Sequence, residues 1–326
     1  MKLCKGAVLA LAISYGLIYC HTNKSKFMLE QKGDSLTLIH ITNPTNYILL
    51  PIEEEAEESW VRLDIGDAAD TDMDIRLAQT KVDYWVPFVL PADAKTVTVR
   101  VQKSLGDALC WKEMKLSDTF DPSHTDKFRP VYHHAPLYGW MNNANGLVYE
   151  DEEYHLYYQY NPYGSKWGNM HWGHSISKDL MHWEHLAPAI VRDTLGHIFS
   201  GSSIVDQENV AGYGTGTILA FYTSASDKNG QIQCLAYSND NGRTFTKYDK
   251  NPILRSSDRR KDFRDPKVFW YAPGNKWIMI VAADKEMCFY DSEDLKDWNY
   301  MSSFGEGYGV QPCQFECPDM VELNGY

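Results

Sequence analysis

Three segments of the sequence repeat one pattern and set the expected architecture: SKDLMHW at residues 177–183, SNDNGRTF at residues 238–245 and SEDLKDW at residues 292–298. Each begins with Ser, carries Asp two residues later, ends in an aromatic residue and follows an apolar run. The Asp residues are spaced by 61 and then 54 residues. Strand repeats of this period predict β-propeller blades, in which the Ser-Asp turn joins the outer strands and the aromatic residue packs between blades. The alternative is that a common hairpin signal recurs by chance.

The region before this repeat has a different pattern. The runs SLTLIHI at residues 35–41 and TVTVRV at residues 96–101 alternate apolar and polar residues, which is typical of half-buried strands. We therefore predict a β-sandwich-like module over residues 26–119, followed by the propeller over residues 128–326. The run EEEAEE at residues 53–58 is interpreted as a solvated loop and not as a cation site, because packed like charges repel one another into water.

Composition and charge exclude several classes of partner. The 326 residues include 31 Lys and Arg against 44 Asp and Glu, which gives a net charge of −13. Nucleic-acid surfaces need clustered basic charge, and an anionic membrane surface repels an acidic protein, so neither is expected as a partner. The aromatic fraction of 13% suits an all-β protein with many turns and also suits stacking against sugar rings. Composition alone does not choose between these two explanations.

The first 20 residues are typical of an export signal. Lys2 and Lys5 precede an almost wholly apolar stretch, residues 7–19, which is short for a membrane span. The sequence LIYC at residues 17–20 resembles a lipoprotein cleavage box in which Cys20 is acylated, although Tyr19 is bulky for the position before the cut. Plain secretion is the alternative. We expect an exported protein, periplasmic or at the cell surface, whose only membrane attachment is a lipid on Cys20.

The remaining cysteines and histidines do not predict a metal or a disulfide framework. Five cysteines follow the signal region, an odd and sparse set: Cys110, Cys234, Cys288, Cys313 and Cys317. Cys313 and Cys317 have no second pair at zinc spacing, so they are interpreted as small apolar residues. His171 and His174 lie three apart on a predicted strand, where their side chains point to opposite faces. We expect neither a metal nor another cofactor.

Two acidic residues lie near the start of predicted strands in different repeats. Asp265 belongs to FRDP at residues 263–266, and Glu316 belongs to FECPD at residues 315–319. The innermost strands of propeller blades converge on the axis, so these residues are expected to face one site. Glycosidic cleavage requires two such carboxylates, one as proton donor and one facing the developing oxocarbenium ion. Asp265 and Glu316 are therefore candidates for chemistry on a sugar.

Six motifs in one order resemble those of glycoside hydrolase family 32, the invertase, inulinase and levanase family. They are WMNNANG at 140–146, QYNP at 159–162, WGNMHWGH at 167–174, FSGS at 199–202, RDP at 264–266 and ECPD at 316–319. The resemblance implies a five-bladed propeller followed by a β-sandwich, and retaining hydrolysis of fructofuranosides such as sucrose, inulin or levan. A fructose-containing oligo- or polysaccharide is thus the expected partner. The module at residues 26–119 is similar to one that precedes some bacterial members.

The resemblance also implies roles for individual residues. Glu316 would be the general acid/base, for which a raised pKa supplied by burial and nearby carboxylates is needed. Asp265 would bind the fructosyl 3- and 4-hydroxyls and stabilise the transition state, and Arg264 would hold the acidic cluster in place. The other sugar-contacting positions are Trp140, Asn142, Gln159, Trp167, Phe199 and Ser200. Trp172 fits a pocket wall and inter-blade core equally well.

The first motif departs from the family pattern at its most important position. Family members carry Trp-Met-Asn-Asp-Pro-Asn-Gly, whose Asp is the nucleophile, and this chain has Asn143 there, with Ala144 in place of Pro. A neutral amide is a poor nucleophile and stabilises an adjacent cation less than a carboxylate does. We therefore expect impaired hydrolysis. A non-catalytic fructoside-binding protein and a non-functional fragment of a longer enzyme are the alternatives.

The repeat also predicts how much of a propeller the chain contains. Residues 128–326 account for three blades and the first strand of a fourth. An open propeller exposes strand edges and part of its core, so we expect poor solubility or a broad melting transition.

Overall fold

A computed structural model of the chain describes residues 18–21, 25–65, 68–91, 93–102, 106–122, 129–258, 260–305, 307–310 and 313–323. It divides into two compact units, residues 1–121 and residues 122–326. The expected signal peptide lies outside the described residues as far as residue 17, and residues 18–21 form a strand. None of the described helices is long and apolar enough to cross a membrane.

The described residues of the first unit form nine strands and one short helix. In chain order they are β1 (Ile18–His21), β2 (Ser25–Lys32), β3 (Leu36–Thr42), β4 (Tyr47–Ile52), β5 (Ser59–Ile65), β6 (Ala68–Ile75), β7 (Tyr84–Val89), β8 (Thr96–Gln102), α1 (Cys110–Glu113) and β9 (Lys115–Ser117). One sheet has the strand order β1-β2-β3-β8-β5-β6, and the other has the order β7-β4-β9. The pairings between these strands in the described residues are antiparallel.

The period-2 pattern read from the sequence is confirmed in this unit. In β8 the side chains of Val97, Val99 and Val101 are buried while the residues between them are exposed or half-buried. Leu50 of β4, in the other sheet, is also fully buried. Two sheets with apolar inner faces agree with the prediction of a sandwich-like module.

Residues 53–58 form an irregular turn with exposed or half-buried residues, as predicted, and within it Glu53 accepts several hydrogen bonds. The backbone N–H groups of Gln79 and Thr80 each donate to Glu53 Oε2 at 2.8 Å, and the Thr80 hydroxyl donates to Oε1 at 2.8 Å. These hydrogen bonds, led by the Thr80 N–H, lower the pKa of Glu53 from 4.5 to about 2. The charge is therefore used to close the loop after β6, since an ionised carboxylate is the strongest acceptor available for several N–H groups.

We predict that Glu53→Gln lowers the melting temperature of the chain at pH 7 by about 4 °C, because the loop loses an ionised acceptor. A carboxyl with a depressed folded-state pKa contributes stability above its unfolded pKa, and this contribution fades as the pH falls. The difference from the unmodified chain should thus shrink between pH 4.5 and pH 2. Calorimetric scans across pH 3–7 measure it. The exposed Glu55, changed to Gln, is the control, and equal effects of the two changes would contradict the prediction.

The described residues of the second unit form three successive antiparallel sheets. Their strands are β10 (Trp140–Glu150), β11 (Glu153–Asn161), β12 (His171–Ser177), β13 (Glu184–Ile190), β14 (His197–Asp206), β15 (Thr217–Ser226), β16 (Gly230–Ser238), β17 (Thr246–Lys247), β18 (Leu254–Arg255), β19 (Phe263–Tyr271), β20 (Lys276–Ala283), β21 (Glu286–Ser292) and β22 (Asn299–Phe304), with a 3₁₀ turn at Ala272–Gly274. The sheet orders are β10-β11-β12-β13, β14-β15-β16-β17 with β18 also on β16, and β19-β20-β21-β22. The prediction of an all-β chain with propeller blades is confirmed.

The repeated Ser-Asp segments lie where the sequence predicted, between the third and fourth strands of each blade. In the third blade Ser292 Oγ accepts from the Leu295 N–H at 2.8 Å, and Asp294 Oδ1 accepts from the Asp297 N–H at 2.8 Å. The same local bonds recur around Ser177 and Asp179 in the first blade. Short polar side chains that bond the backbone a few residues later favour a tight turn over a continued strand.

The aromatic residues that close the turns of the second and third blades pack against the preceding blade, as predicted. Phe245 of the second blade meets Tyr157 of the first at 5.6 Å between ring centroids. Trp298 of the third blade meets Phe221 of the second at 6.1 Å, edge to face. The innermost strands also contact one another, β10 with β14 and β14 with β19. These contacts bring the starts of the three blades to one place.

The predicted first strand of a fourth blade is not formed in the described residues. Residues 307–310 and 313–323 contain no assigned strand. Strands are defined by ladder hydrogen bonds, and within the described residues this segment forms no ladder pairing. The segment nevertheless lies against the third blade, since the Phe315 N–H donates to the Asp284 carbonyl at 3.1 Å.

Candidate active site

An open cleft of about 460 Å³ lies where the starts of the three blades meet. Its lining residues come from β10, β11, β14, β16 and β19 and from the segments beside them: Asn142, Asn143, Gln159, Trp167, Phe199, Ser200, Gln231, Asp262, Arg264, Asp265 and Glu316. Nine of the ten expected catalytic and sugar-contacting residues are in this set. Two members, Gln231 and Asp262, were missed from the sequence.

Two tryptophans expected in the pocket lie elsewhere. Trp140 does not line the cleft, and its Nε1–H donates to Asn142 Oδ1 at 2.9 Å, so it orients a lining residue from the side. Trp172 is fully buried among Tyr157 and Tyr222, and its Nε1–H donates to the Phe199 carbonyl at 2.9 Å. Of its two interpretations, inter-blade core is correct. A fully buried indole has no face left for a sugar.

Asn143 occupies an exposed position in the cleft, at the centre of the site. Its Nδ2 donates to Ser200 Oγ at 3.3 Å and approaches Cys317 Sγ at 3.4 Å. Its Oδ1 accepts from Asn142 Nδ2 at 3.4 Å. The amide is therefore held between neighbours from other strands, but it brings no charge to the cleft.

Asp265 is the buried carboxylate of the site, with only 6% of the residue exposed. Its backbone is in the left-handed region, with φ of 63°, which a non-glycine residue adopts only when its surroundings hold it there. The Cys317 N–H donates to Asp265 Oδ2 at 2.9 Å. Burial raises the pKa of Asp265 above its ordinary value, against the opposing effects of that N–H and of Arg264. The carboxylate is thus positioned to respond to a positive charge in the cleft.

A series of buried hydrogen bonds fixes the backbone of Asp265. The Asp265 N–H donates to Thr223 Oγ1 at 2.9 Å, and the Thr223 hydroxyl donates to Gln233 Oε1 at 2.7 Å. Gln233 Nε2 in turn donates to the Phe263 carbonyl at 2.6 Å. Thr223 and Gln233 are both fully buried. Neither residue belongs to a recognisable motif. The only signal of them in the sequence is a polar residue within an otherwise apolar strand.

Arg264 contacts the acidic residues on both sides of it. Its Nη2 donates to Glu316 Oε1 at 2.6 Å, its Nη1 donates to Asp262 Oδ1, and its Nε lies 3.8 Å from Asp265 Oδ2. Burial lowers the pKa of Arg264, but the hydrogen bonds to Glu316 and Asp262 outweigh it and leave the pKa raised. A fixed guanidinium fork is suited to hold several carboxylates at set positions.

Glu316 differs from expectation in its surroundings. Its side chain is 63% exposed, so burial does not act on this carboxyl as the sequence interpretation required. Arg264 is its ion-pair partner. The proton-donor role therefore rests on the position of Glu316 at the cleft and not on a buried environment.

Two glycines of the motifs allow the inner strands to approach closely. A Cβ on Gly201 would lie 1.9 Å from the Phe221 carbonyl oxygen of the paired strand. A Cβ on Gly146, whose φ is 52°, would lie 2.8 Å from the Trp172 ring. Only a residue without a side chain fits at either place. These glycines therefore allow β10 and β14 to lie close enough for Asn143 and Ser200 to contact each other.

The histidines of the first blade serve packing. His155 Nδ1 and His174 Nε2 are 3.2 Å apart in the buried first blade, and burial lowers the pKa of His174 to about 3. His171 is buried on the other face, and its pKa is lowered in the same way to about 3. Within the described part of the chain, no group of three or more His, Cys, Asp and Glu is arranged to hold a metal ion.

The comparison with protein families agrees with this geometry. Residues 133–326, more than half of the chain, match the model described as the glycosyl hydrolases family 32 N-terminal domain. The chain belongs to glycosyl hydrolase family 32. A second model, a domain of unknown function (DUF4980), matches residues 33–132. The cleft described above thus lies in the family 32 part of the chain.

Relatives of this family 32 chain support the same assignment. The levanase of Bacillus subtilis is 50% identical over 212 residues, which is 64% of this chain and 31% of that protein. The extracellular exo-inulinase of Aspergillus awamori is 37% identical over 238 residues, 64% of this chain and 44% of the relative, and its crystal structure superposes with a TM-score of 0.56 over 60% of this chain and 43% of that one.

A solved structure of a substituted relative is also similar. It is an aspartate-to-alanine mutant of the family 32 β-fructofuranosidase of Bombyx mori in complex with sucrose. The identity is 37% and the TM-score is 0.52, over 61% of this chain and 42% of that one. The chain therefore spans between 31% and 44% of the length of these relatives.

We predict that Thr223→Val loosens the backbone of Asp265. The change keeps the shape of the side chain but leaves the Asp265 N–H and Gln233 Oε1 unpaired in a buried place, at a cost of about 1–3 kcal/mol. Urea unfolding should show this loss, and amide hydrogen exchange at Asp265 should accelerate.

Thr217→Val is the matched control for that change. Thr217 is a buried, hydrogen-bonded residue at the other end of the same strand, away from the cleft. It should lower stability without changing exchange at Asp265. Equal acceleration at Asp265 in both variants would refute a specific role for Thr223.

Proposed function

We propose that this chain carries the substrate cleft of a retaining β-fructofuranosidase of the levanase and inulinase type, directed at fructans and sucrose. The observation that carries the proposal is the convergence of Asn143 of β10, Asp265 of β19 and Glu316 of the segment after the third blade on one cleft. Membership of family 32 and the similarity to a levanase and an exo-inulinase support it.

The proposed chemistry assigns separate tasks to the carboxylates. Glu316 gives its proton to the oxygen of the leaving group, and as the base it later takes a proton from the incoming water. Asp265 accepts hydrogen bonds from the 3- and 4-hydroxyls of the fructosyl unit and faces the positive charge that develops on the ring. Arg264 keeps both carboxylates in place. Asn142, Gln159, Ser200 and the rings of Trp167 and Phe199 contact the sugar.

Asn143 limits this chemistry in the proposal. The position faces the anomeric carbon, but an amide oxygen attacks it poorly and offers no full negative charge. Hydrolysis is therefore expected to be weak, while binding is retained because Asn and Asp have nearly the same shape. A relative with an aspartate removed is known as a sucrose complex, which supports binding without a full set of carboxylates.

A non-catalytic fructoside-binding function is the second candidate. It is favoured by one observation: Asn143, which carries no charge and is hydrogen-bonded to Ser200, lies at the centre of the cleft. The two candidates share the same ligand and differ only in turnover. The same protein preparation can therefore distinguish them.

We predict that the unmodified chain releases heat on titration with levan, inulin or sucrose while producing little reducing sugar. Asn143→Asp restores the nucleophile position and should raise hydrolysis by about 10³-fold or more, in line with the loss that removal of a nucleophile causes. Calorimetry and a reducing-sugar assay measure the two quantities. Asn275→Asp, which adds the same charge in an exposed turn of the third blade, should change neither.

Three outcomes of this experiment have different meanings. A rise in hydrolysis with Asn143→Asp supports an enzyme limited by Asn143. Heat without product in both proteins favours the binding function. Neither heat nor product would overturn the proposal and leave a fragment that does not bind fructosides on its own.

We also infer that the chain is exported and that Cys20 carries a lipid. The apolar stretch before LIYC supports this inference, and the relative from Aspergillus awamori is described as extracellular. A lipid on Cys20 would hold the protein at a membrane surface in the periplasm or on the cell, which suits action on a polymer that does not enter the cell.

We predict that Cys20→Ser abolishes incorporation of a fatty acid when the chain is produced in a bacterium with lipoprotein processing. The thiol is the acceptor of the lipid, and a hydroxyl does not replace it. Labelling with a palmitate analogue, followed by membrane fractionation, measures the effect. Cys4→Ser is the control and should have no effect. An exported protein without label would instead indicate plain secretion.

A further inference from the structure

The segment at residues 313–319, here the Glu316 segment, lies along the start of β19 through side chains. Gln314 Nε2 donates to Asp262 Oδ2 at 3.1 Å, and Arg264 Nη2 donates to Glu316 Oε1 at 2.6 Å. The Cys317 N–H donates to Asp265 Oδ2 at 2.9 Å. Lys267 Nζ and Asp319 Oδ1 are 2.9 Å apart at the far end.

These four contacts share one property: the partners in each pair are 52 residues apart. A constant separation means that the Glu316 segment runs parallel to the start of β19 and in register with it. Each contact matches one residue of the segment with one residue at the start of β19, so this register decides which residue of the segment lies at the cleft. Since no ladder pairing of the segment is present in the described residues, the side-chain contacts set the register.

The carboxylate of Asp262 links its own contact with Gln314 to the contact between Arg264 and Glu316. Its Oδ1 accepts from Arg264 Nη1 and its Oδ2 accepts from Gln314 Nε2. It therefore binds both the residue that holds Glu316 and a residue of the Glu316 segment itself. The side chains of Asp262 and Arg264 are 19% and 12% exposed, whereas that of Glu316 is 63% exposed. The ion pair between Asp262 and Arg264 is therefore shielded from water better than the ion pair between Arg264 and Glu316.

We propose that Asp262 is a positioning residue that sets the register of the Glu316 segment on β19 and thereby places Glu316 at the cleft. The role for Glu316 rests on the proposed function, whereas the effect on register does not. Asp262 lines the cleft, and its carboxylate acts by orienting Arg264 and by anchoring Gln314. The neighbour Cys317 gives a direct measure of this register, since its thiol lies 3.6 Å from Asp265 Oδ2.

Alkylation of Cys317 tests the register without any assay of activity. Cys317 is exposed, contrary to its interpretation as a small apolar residue, and its thiol is partly desolvated. Desolvation first, and Asp265 second, raise the pKa of the thiol to about 11, and the thiolate is the reactive form. Asp262→Asn replaces the charged acceptor of both hydrogen bonds with a neutral amide and so weakens the contacts to Arg264 and Gln314. Iodoacetamide should then modify Cys317 about tenfold faster at pH 8, as read by peptide mass spectrometry on the full chain.

A paired substitution separates the contact from general damage. Gln314→Glu added to Asp262→Asn exchanges donor and acceptor and so restores the bond, and the rate of Cys317 modification should return to within about twofold of the original. Asp291→Asn is the matched control, because Asp291 makes a similar ion pair with Lys276 in the same blade. It should leave the rate unchanged.

Hydrolysis in the Asn143→Asp background tests the consequence for Glu316. Asp262→Asn should lower kcat about tenfold and change KM less than twofold, and the paired substitution should recover kcat. A Cys317 rate that is unchanged by Asp262→Asn, or not recovered by the pair, would overturn the proposal.

Should Asn143→Asp give no hydrolysis, the proposed function fails while the Cys317 rates still decide the register. Should Asp262→Asn fail to fold, Gln314→Leu breaks the same contact from the other side and should give the same acceleration.

Discussion

A buried carboxylate in a backbone conformation that it would not adopt alone is the constraint on which this site depends. Asp265 keeps a φ of 63° because Thr223 binds its N–H and Cys317 binds its side chain. These two partners come from the second blade and from the Glu316 segment. The residue therefore exists in its present geometry only when three separate parts of the chain are in place, and the cleft forms around it.

The fold was predictable because its signals are local. A Ser-Asp turn is stabilised by hydrogen bonds within about four residues, so the segments around Asp179 and Asp294 show the same letters and the same bonds. The alternation in β8 similarly reports which face is buried. The hydrogen bonds of Glu53 were not predicted, because its partners, residues 79–81, are distant in sequence and donate through backbone N–H groups, which carry no sequence signal.

The site was predictable where a motif carried it and not where packing did. Asn143 and Arg264 lie in recognisable motifs and are found in the cleft. Asp262 was missed although it stands two residues before Arg264, a spacing that puts both side chains on the same face of an extended chain. Thr223 was missed because its function depends on a contact between blades. Trp172 had two interpretations, since a sequence does not show whether an indole is covered by a neighbouring blade.

The constant separation between the Glu316 segment and β19 has a consequence for how the length of this chain can vary. Residues added at the turns of the third blade, such as the one around Asp294, lengthen the connection but leave the two aligned stretches unchanged. One residue added within 262–267 or 314–319 would shift every following contact between the two stretches out of alignment. The outer edge of this blade can therefore tolerate insertions, whereas the number of residues in each of the two aligned stretches near its axis is fixed.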